Sequence, residues 1–143
     1  MRGGKNITLF LSTLPVPKSN RYIRRKDGHI FRSPRVLKWE AHAVWEIQKQ
    51  YRGEAIEIPI SVEVFFFLPD RRKRDIDNML KSLWDVLEKA QVVKNDNLIF
   101  ETRTVKIFDG EIHGTVIVIK PYKERKTTFE RMKNKLKGFK DNL

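Results

Sequence analysis

Apolar residues along the chain switch between the two-residue spacing of strands and the three-to-four-residue spacing of helices. Ile7-Thr8-Leu9-Phe10-Leu11 reads as a first strand, stopped by Pro15-Val16-Pro17. Residues 18–35 lose the apolar pattern, and Asp27-Gly28 is a hairpin-turn dipeptide, so a loop with a short hairpin is predicted. From Ser33-Pro34 to about Tyr51 the spacing is helical. Pro34 sits near the first position, and Leu37, Ala41, Val44, Ile47 or Gln48, and Tyr51 recur on one face before Gly53 ends the helix. Ile58, Ile60, Val62, Val64, Phe66 and Leu68 then alternate along one face of a long strand, with Phe65 and Phe67 on the other.

A second helix is predicted over residues 75–90, with Ile76, Leu80, Leu83, Leu87 and Ala90 as its apolar stripe. Gln91 to Asn97 reads as a polar loop. Residues 98–108 and 112–119 are expected to close the body as a hairpin around Asp109-Gly110, ended by Pro121. This order of elements predicts an α+β fold of two layers, a mixed β-sheet with helices packed on one face. Residues 1–120 are expected to be one domain. Residues 121–143 are a basic C-terminal tail, expected to be helical because Phe129, Met132, Leu136 and Phe139 recur at helical spacing.

Charge narrows the choice of partner. The 143 residues carry 30 Lys and Arg against 18 acids, a formal net charge of +12. The tail holds 8 cations and 3 acids, a net +5, which leaves +7 on residues 1–120. Such an excess favours nucleic acid first and an anionic membrane second. No apolar run approaches the length of a membrane span, and Met1-Arg2-Gly3-Gly4-Lys5 lacks a signal-peptide core. The absence of cysteine removes disulfides, thiolate metal sites and thiol catalysis, and fits a cytoplasmic protein, nucleoid-associated when bound. His29, His42 and His113 are scattered without ligand spacing. Any metal must then be held by oxygen, which points to Mg²⁺ or Mn²⁺.

The most informative stretch is Asp70-Arg71-Arg72-Lys73-Arg74-Asp75-Ile76-Asp77-Asn78, followed by Lys81. Cations suit phosphates and carboxylates suit a divalent metal. A surface made only to bind DNA gains nothing from acids inside its basic patch. Asp77 and Lys81 lie four residues apart on one helical face, while two residues turn a helix by about 200°. Asp75 therefore converges with Asp77 only if it sits at or before the helix start, where Asp is a favoured cap. Asp96 is the best third carboxylate. A helix of about 15 residues carries the chain about 22 Å away before Asp96 is reached. Either the loop returns that distance or a second subunit completes the site.

These residues resemble the RusA-type Holliday junction resolvases. The resemblance rests on Leu68 through Asn78, Lys81, Asp85-Val86-Leu87 and Asn95-Asp96-Asn97-Leu98-Ile99, in order and at matching separations, with Pro15 through Tyr22 as the early segment. It covers roughly residues 6–119. It implies a metal-dependent homodimeric endonuclease cutting branched DNA, four-way junctions, by paired incisions. Asp75, Asp77 and Asp96 are the implied metal ligands and Lys81 the catalytic cation. No membrane and no small-molecule cofactor is implied. Family members often carry two adjacent acids after the helix, whereas the first position here is Asn95, so the ligand role carries to Asp96 alone. Arg71, Arg72, Lys73 and Arg74, with Lys18, Arg21, Arg24, Arg25 and Arg32 of the early arm, are the expected DNA contacts, Arg74 on the scissile phosphate.

The plainer readings are specific. Asp75 is a good helix cap, Asp77 and Lys81 a common surface pair, and Asn95-Asp96-Asn97 good turn chemistry. Asp70 is expected to pair with Arg72, Asp85 and Glu88 to form a solvated helix face, and the three tryptophans to serve core or interface. The tail's cations weigh toward a DNA contact over mere solubility. The competing function is a non-catalytic DNA-binding module, which accounts for the charge but not for the ordered acids.

Overall fold

The structure is a computed structural model that describes residues 6–17, 22–24 and 26–143. In chain order the elements are β1 (Ile7–Leu11), β2 (Tyr22–Arg24), β3 (Ile30–Arg32), α1 (Pro34–Gln50), β4 (Ile60–Leu68), α2 (Ile76–Lys89), a 3₁₀ turn (Asp96–Leu98), β5 (Ile99–Phe108), β6 (Gly114–Pro121) and α3 (Lys126–Asp141). Four strands form one mixed sheet in the order β1-β6-β4-β5, and β2 and β3 form a separate hairpin around Asp27-Gly28. The fold is α+β.

β4 is the spine of the sheet. Ile60, Val62, Val64, Phe66 and Leu68 are all buried on one face, the alternation of a strand with one side on the core. They share a single core with Leu9 and Leu11 of β1, Ile117 and Ile119 of β6, and the inner faces of α1 and α2. Phe65 and Phe67, on the opposite face, are only half-buried.

Both helices are turned slightly from the phase that the apolar residues alone predict. The inner face of α1 is Val36, Trp39, Glu40, Ala43 and Ile47, leaving Leu37 exposed. Polar partners explain the shift. Trp39 donates its indole N–H to Thr13 Oγ1 at 3.0 Å, and buried Glu40 accepts from Lys89 Nζ of α2 at 2.8 Å. The inner face of α2 is Met79, Ser82, Leu83, Val86 and Leu87, with Ile76 and Leu80 on its flank. Ser82 turns inward because its hydroxyl donates to the Val16 carbonyl at 2.6 Å. Trp84 is half-buried and packs against the core, whereas Trp45 is exposed beneath Lys49 Nζ, 4.3 Å from its ring.

The expected closing hairpin does not form. β5 and β6 lie on opposite sides of β4, β5 parallel to it and β6 antiparallel. The fully apolar alternation of β4 makes it the strand to bury in the middle, so the two later strands flank it. Residues 109–113 then only have to cross two strand spacings, about 10 Å, within the reach of five residues. The turn is held by the Asp109 carboxylate, which accepts from the N–H groups of Glu111 at 2.9 Å and Ile112 at 3.3 Å. The outer edge of β1 is closed by the Gln50 amide, which accepts from Phe10 N–H at 2.8 Å and donates to Phe10 C=O at 2.7 Å.

The turn from β4 into α2 is built on Asp70. Its carboxylate accepts from Arg74 Nη1 at 2.8 Å, from the Arg72 backbone N–H at 3.0 Å and from Arg72 Nε at 3.2 Å. Lys106 of β5 ties the same turn down by donating to the Arg74 carbonyl at 3.0 Å. The Arg74 guanidinium, then the Arg72 N–H, hold the Asp70 carboxyl well below the usual carboxylate range.

Two outcomes follow. Gly114 has φ +148°, and a Cβ there would sit 2.8 Å from the Leu11 carbonyl oxygen. Gly114→Ala should cost about 1–3 kcal/mol in a urea titration, and an unchanged midpoint would refute the strain. Asp70 is ionised more readily folded than unfolded, so its contribution is complete above about pH 4 and lost as pH falls below it. The stability gap between the protein and Asp70→Asn should therefore be constant from pH 7 to 5 and close at lower pH. A gap that widens on acidification would contradict the clamp.

Candidate active site

The N-terminus of α2 brings three of the expected residues together. The helix begins at Ile76, and Asp75 stands before it with extended backbone, φ −80° and ψ 124°. That removes the 200° conflict between Asp75 and Asp77. Asp75 makes no side-chain cap to the backbone; its Oδ2 accepts from Asn78 Nδ2 at 3.3 Å. Asp77 lies in the first turn and Lys81 one turn later, with 4.0 Å between Asp77 Oδ2 and Lys81 Nζ. Their side chains are 74% and 57% exposed, so this ion pair is loose and leaves both groups available to a ligand. The partial positive charge of the helix start favours an anion there.

The cations of the turn divide into two kinds. Arg74 is turned inward, 15% exposed, its guanidinium on the Asp70 carboxylate and within 3.4 Å of the Asp70 and Arg72 carbonyls. It shapes the turn from within rather than facing solvent. Arg72 and Lys73 point to solvent, and the Arg71 guanidinium stacks 4.3 Å from the Phe108 ring. Asp70 pairs with both Arg72 and Arg74, more than the single Arg72 contact expected.

Of the arm, Arg24 is exposed and Arg32 lies in β3. Lys18, Arg21 and Arg25 lie outside the described residues. The root of the arm is fixed, because the Ser82 hydroxyl holds the Val16 carbonyl against α2 one residue beyond Lys81.

Asp96 is elsewhere. It opens the 3₁₀ turn that leads into β5, and its backbone N–H donates to Glu88 Oε1 at 2.6 Å. Glu88 belongs to the last turn of α2, so Asp96 sits at the far end of the helix from Asp75, about 20 Å away along the axis. The loop does not return. Glu88, expected on a solvated face, is half-buried and positions this turn. Asn95 caps the turn, its side-chain oxygen accepting from Asn97 N–H at 2.9 Å. Among the described residues, no group of three or more His, Cys, Asp or Glu is placed to hold a metal ion. One chain thus places two of the three expected carboxylates at one end of α2 and the third at the other.

Sequence reasoning missed the positioning residues Glu88, Lys106 and Ser82. Each acts through one side-chain bond to a distant backbone atom, and no local spacing announces such a bond.

Comparison with known proteins points the same way. The family model described as Endodeoxyribonuclease RusA matches residues 13–120. The crossover junction endodeoxyribonuclease RusA of Aquifex aeolicus (strain VF5) is 60% identical over 118 residues, 82% of this chain and 94% of that protein. The protein of the same name from Escherichia coli (strain K12) is 31% identical over 96 residues, 66% of this chain and 80% of that one. With Asp75, Asp77 and Lys81 gathered on an exposed helix start inside a basic turn, and with residues 13–120 matched, this chain belongs to the RusA endodeoxyribonuclease family.

Proposed function

We propose that the chain is a Mg²⁺-dependent, structure-selective DNA endonuclease that resolves four-way (Holliday) junctions by paired incisions as a homodimer. The observation that carries the reading is the split of the acids between the two ends of α2. Two copies laid with their α2 helices antiparallel, about a two-fold axis, bring Asp75 and Asp77 of one copy to Asp96 of the other. Such a pairing makes two equal sites, one for each strand to be cut, and it matches a two-fold dimer to a two-fold junction. The flank of α2 offers half-buried Ile76, Leu80 and Trp84 for the contact. The names of the relatives, crossover junction endodeoxyribonucleases, fit this substrate.

In each site Asp75, Asp77 and the other copy's Asp96 would hold Mg²⁺, with Mn²⁺ as a substitute; their hard oxygens suit these ions. A bound ion would supply an acidified water and positive charge against the phosphoryl oxygens. Lys81 brings an ammonium to the reacting phosphate, where it stabilises charge that grows in the transition state or protonates the departing 3′ oxygen. Arg72 and Lys73 hold flanking phosphates, and Arg71 braces the turn on Phe108. Arg74 acts through position, keeping the turn closed on Asp70. Lys18, Arg21, Arg24, Arg25 and Arg32 of the arm hold the backbone of the junction arms beside α2. Phosphate contacts of this kind read shape rather than sequence and weaken steeply with salt. Residues 1–120 act as the nuclease domain, and no helix among the described residues is long and apolar enough to cross a membrane.

The test is a labelled four-way junction beside a linear duplex, with Mg²⁺ or EDTA, for the protein and for Asp77→Asn. Paired nicks are expected in the junction alone and only with Mg²⁺. Asp77→Asn should cut about 10²–10³-fold more slowly while binding the junction as well or better. Normal cutting by the variant would refute the mechanism. Binding by the unaltered protein without cuts would hand the function to a non-catalytic module for branched DNA.

A further inference from the structure

α3 stands off from the rest of the protein. None of its residues is buried, and it lies beyond the segment that the RusA family model matches. Its attachment is short: Arg125 Nη2 pairs with Glu101 Oε2 at 3.1 Å, and the Tyr122 ring lies 5.4 Å from that of Phe100. Yet Phe129, Met132, Leu136 and Phe139 form an apolar row, each at least 44% exposed. Four large apolar side chains in water call for a partner surface.

The row has a defined shape. The spacing 129, 132, 136, 139 alternates three and four, the a and d positions of a heptad, and Leu143 beyond the helix continues it. At about 100° per residue the row spans only about 80° of the helix. A helix that sinks into a membrane surface needs a broader apolar face, whereas a narrow seam fits one partner helix. The flanks are basic. Lys126, Lys133 and Lys140 occupy e positions and Lys135 a g position, and the acids Glu130 and Asp141 fall at b and f, away from the seam. Pairing α3 with its own copy would set lysine against lysine, at e and e′ in an antiparallel pair and at Lys135 and Lys140 in a parallel one. Phosphate binding uses the lysines but leaves the seam in water.

We propose that α3 is a docking helix for an acidic amphipathic helix of another protein. The partner lays an apolar seam on Phe129, Met132, Leu136 and Phe139 and sets carboxylates against Lys126, Lys133, Lys135 and Lys140. Opposite charges at e and g select the partner and exclude self-pairing.

The probe is a labelled three-heptad peptide with Leu at a and d and Glu at e and g, titrated by fluorescence anisotropy into the full chain at physiological salt. Saturable binding is expected, weakened at least tenfold by Leu136→Glu with Phe139→Glu. Lys133→Glu with Lys140→Glu should weaken it likewise and gain binding to a peptide of the same seam flanked by Lys. The seam substitutions Leu136→Glu and Phe139→Glu should leave the circular dichroism of the body and the junction-cutting rate unchanged. Four results would overturn the proposal: no saturable binding; binding insensitive to the seam; self-association in sedimentation that Leu136→Glu abolishes; or loss of affinity for the junction, or for phosphatidylglycerol vesicles, in the lysine variants while the peptide fails to bind.

Discussion

The parallel pairing of β4 with β5 governs the rest of the molecule. Parallel neighbours must start at the same end of a sheet, so the chain has to travel back along the full length of β4 before β5 begins. α2 makes that return. The end of β4 and the start of α2 therefore lie at one end of the sheet, and the entry to β5 lies at the other. Asp75 and Asp77 belong to the first place and Asp96 to the second. Flexing a loop does not bring them together, because the distance between them is the length of a packed helix. An antiparallel β5 would have put all three at one end.

Around this constraint the fold commits few but costly polar groups. Glu40, buried between α1 and α2, needs Lys89, and removing the lysine would leave a buried carboxylate without that partner. Ser82 holds the root of the basic arm to α2, and Lys106 holds the turn before Asp75 to β5. Asp70 and Arg74 close that turn. A chain of side-chain to backbone bonds thus runs from the sheet to the helix start, and it fixes where Asp75 and Asp77 stand while leaving their own carboxylates exposed. Rigid support beneath exposed acids is what a site needs if a metal and a phosphate are to meet there.

Much of this was legible in the residues. The alternation from Ile60 to Leu68 announced the buried strand, and the geometry of two acids two residues apart required Asp75 to precede the helix, as it does. The helix phases were less legible. Glu40 and Ser82 look like surface residues, and their inward turn depends on Lys89 and Val16, which are remote in sequence. The pairing of the last strands was not legible at all. Two strands joined by Asp109-Gly110 carry the signals of a hairpin, and only the competition for the centre of the sheet sends them to opposite sides of β4. The location of Asp96 was hidden with it, since it follows from the partner β5 takes.

The central claim is that each site draws on both copies, and mixing two inactive variants tests it most directly. Asp77→Asn and Asp96→Asn are each expected to be inactive alone. Co-expressed so that mixed dimers form, they should regain single-strand nicking of a four-way junction. One site of the mixed dimer then holds both substitutions, and the other holds Asp77 from one copy and Asp96 from the other, intact. Mixed dimers that form and cut nothing would contradict the account, because a site built within one chain is broken in both copies.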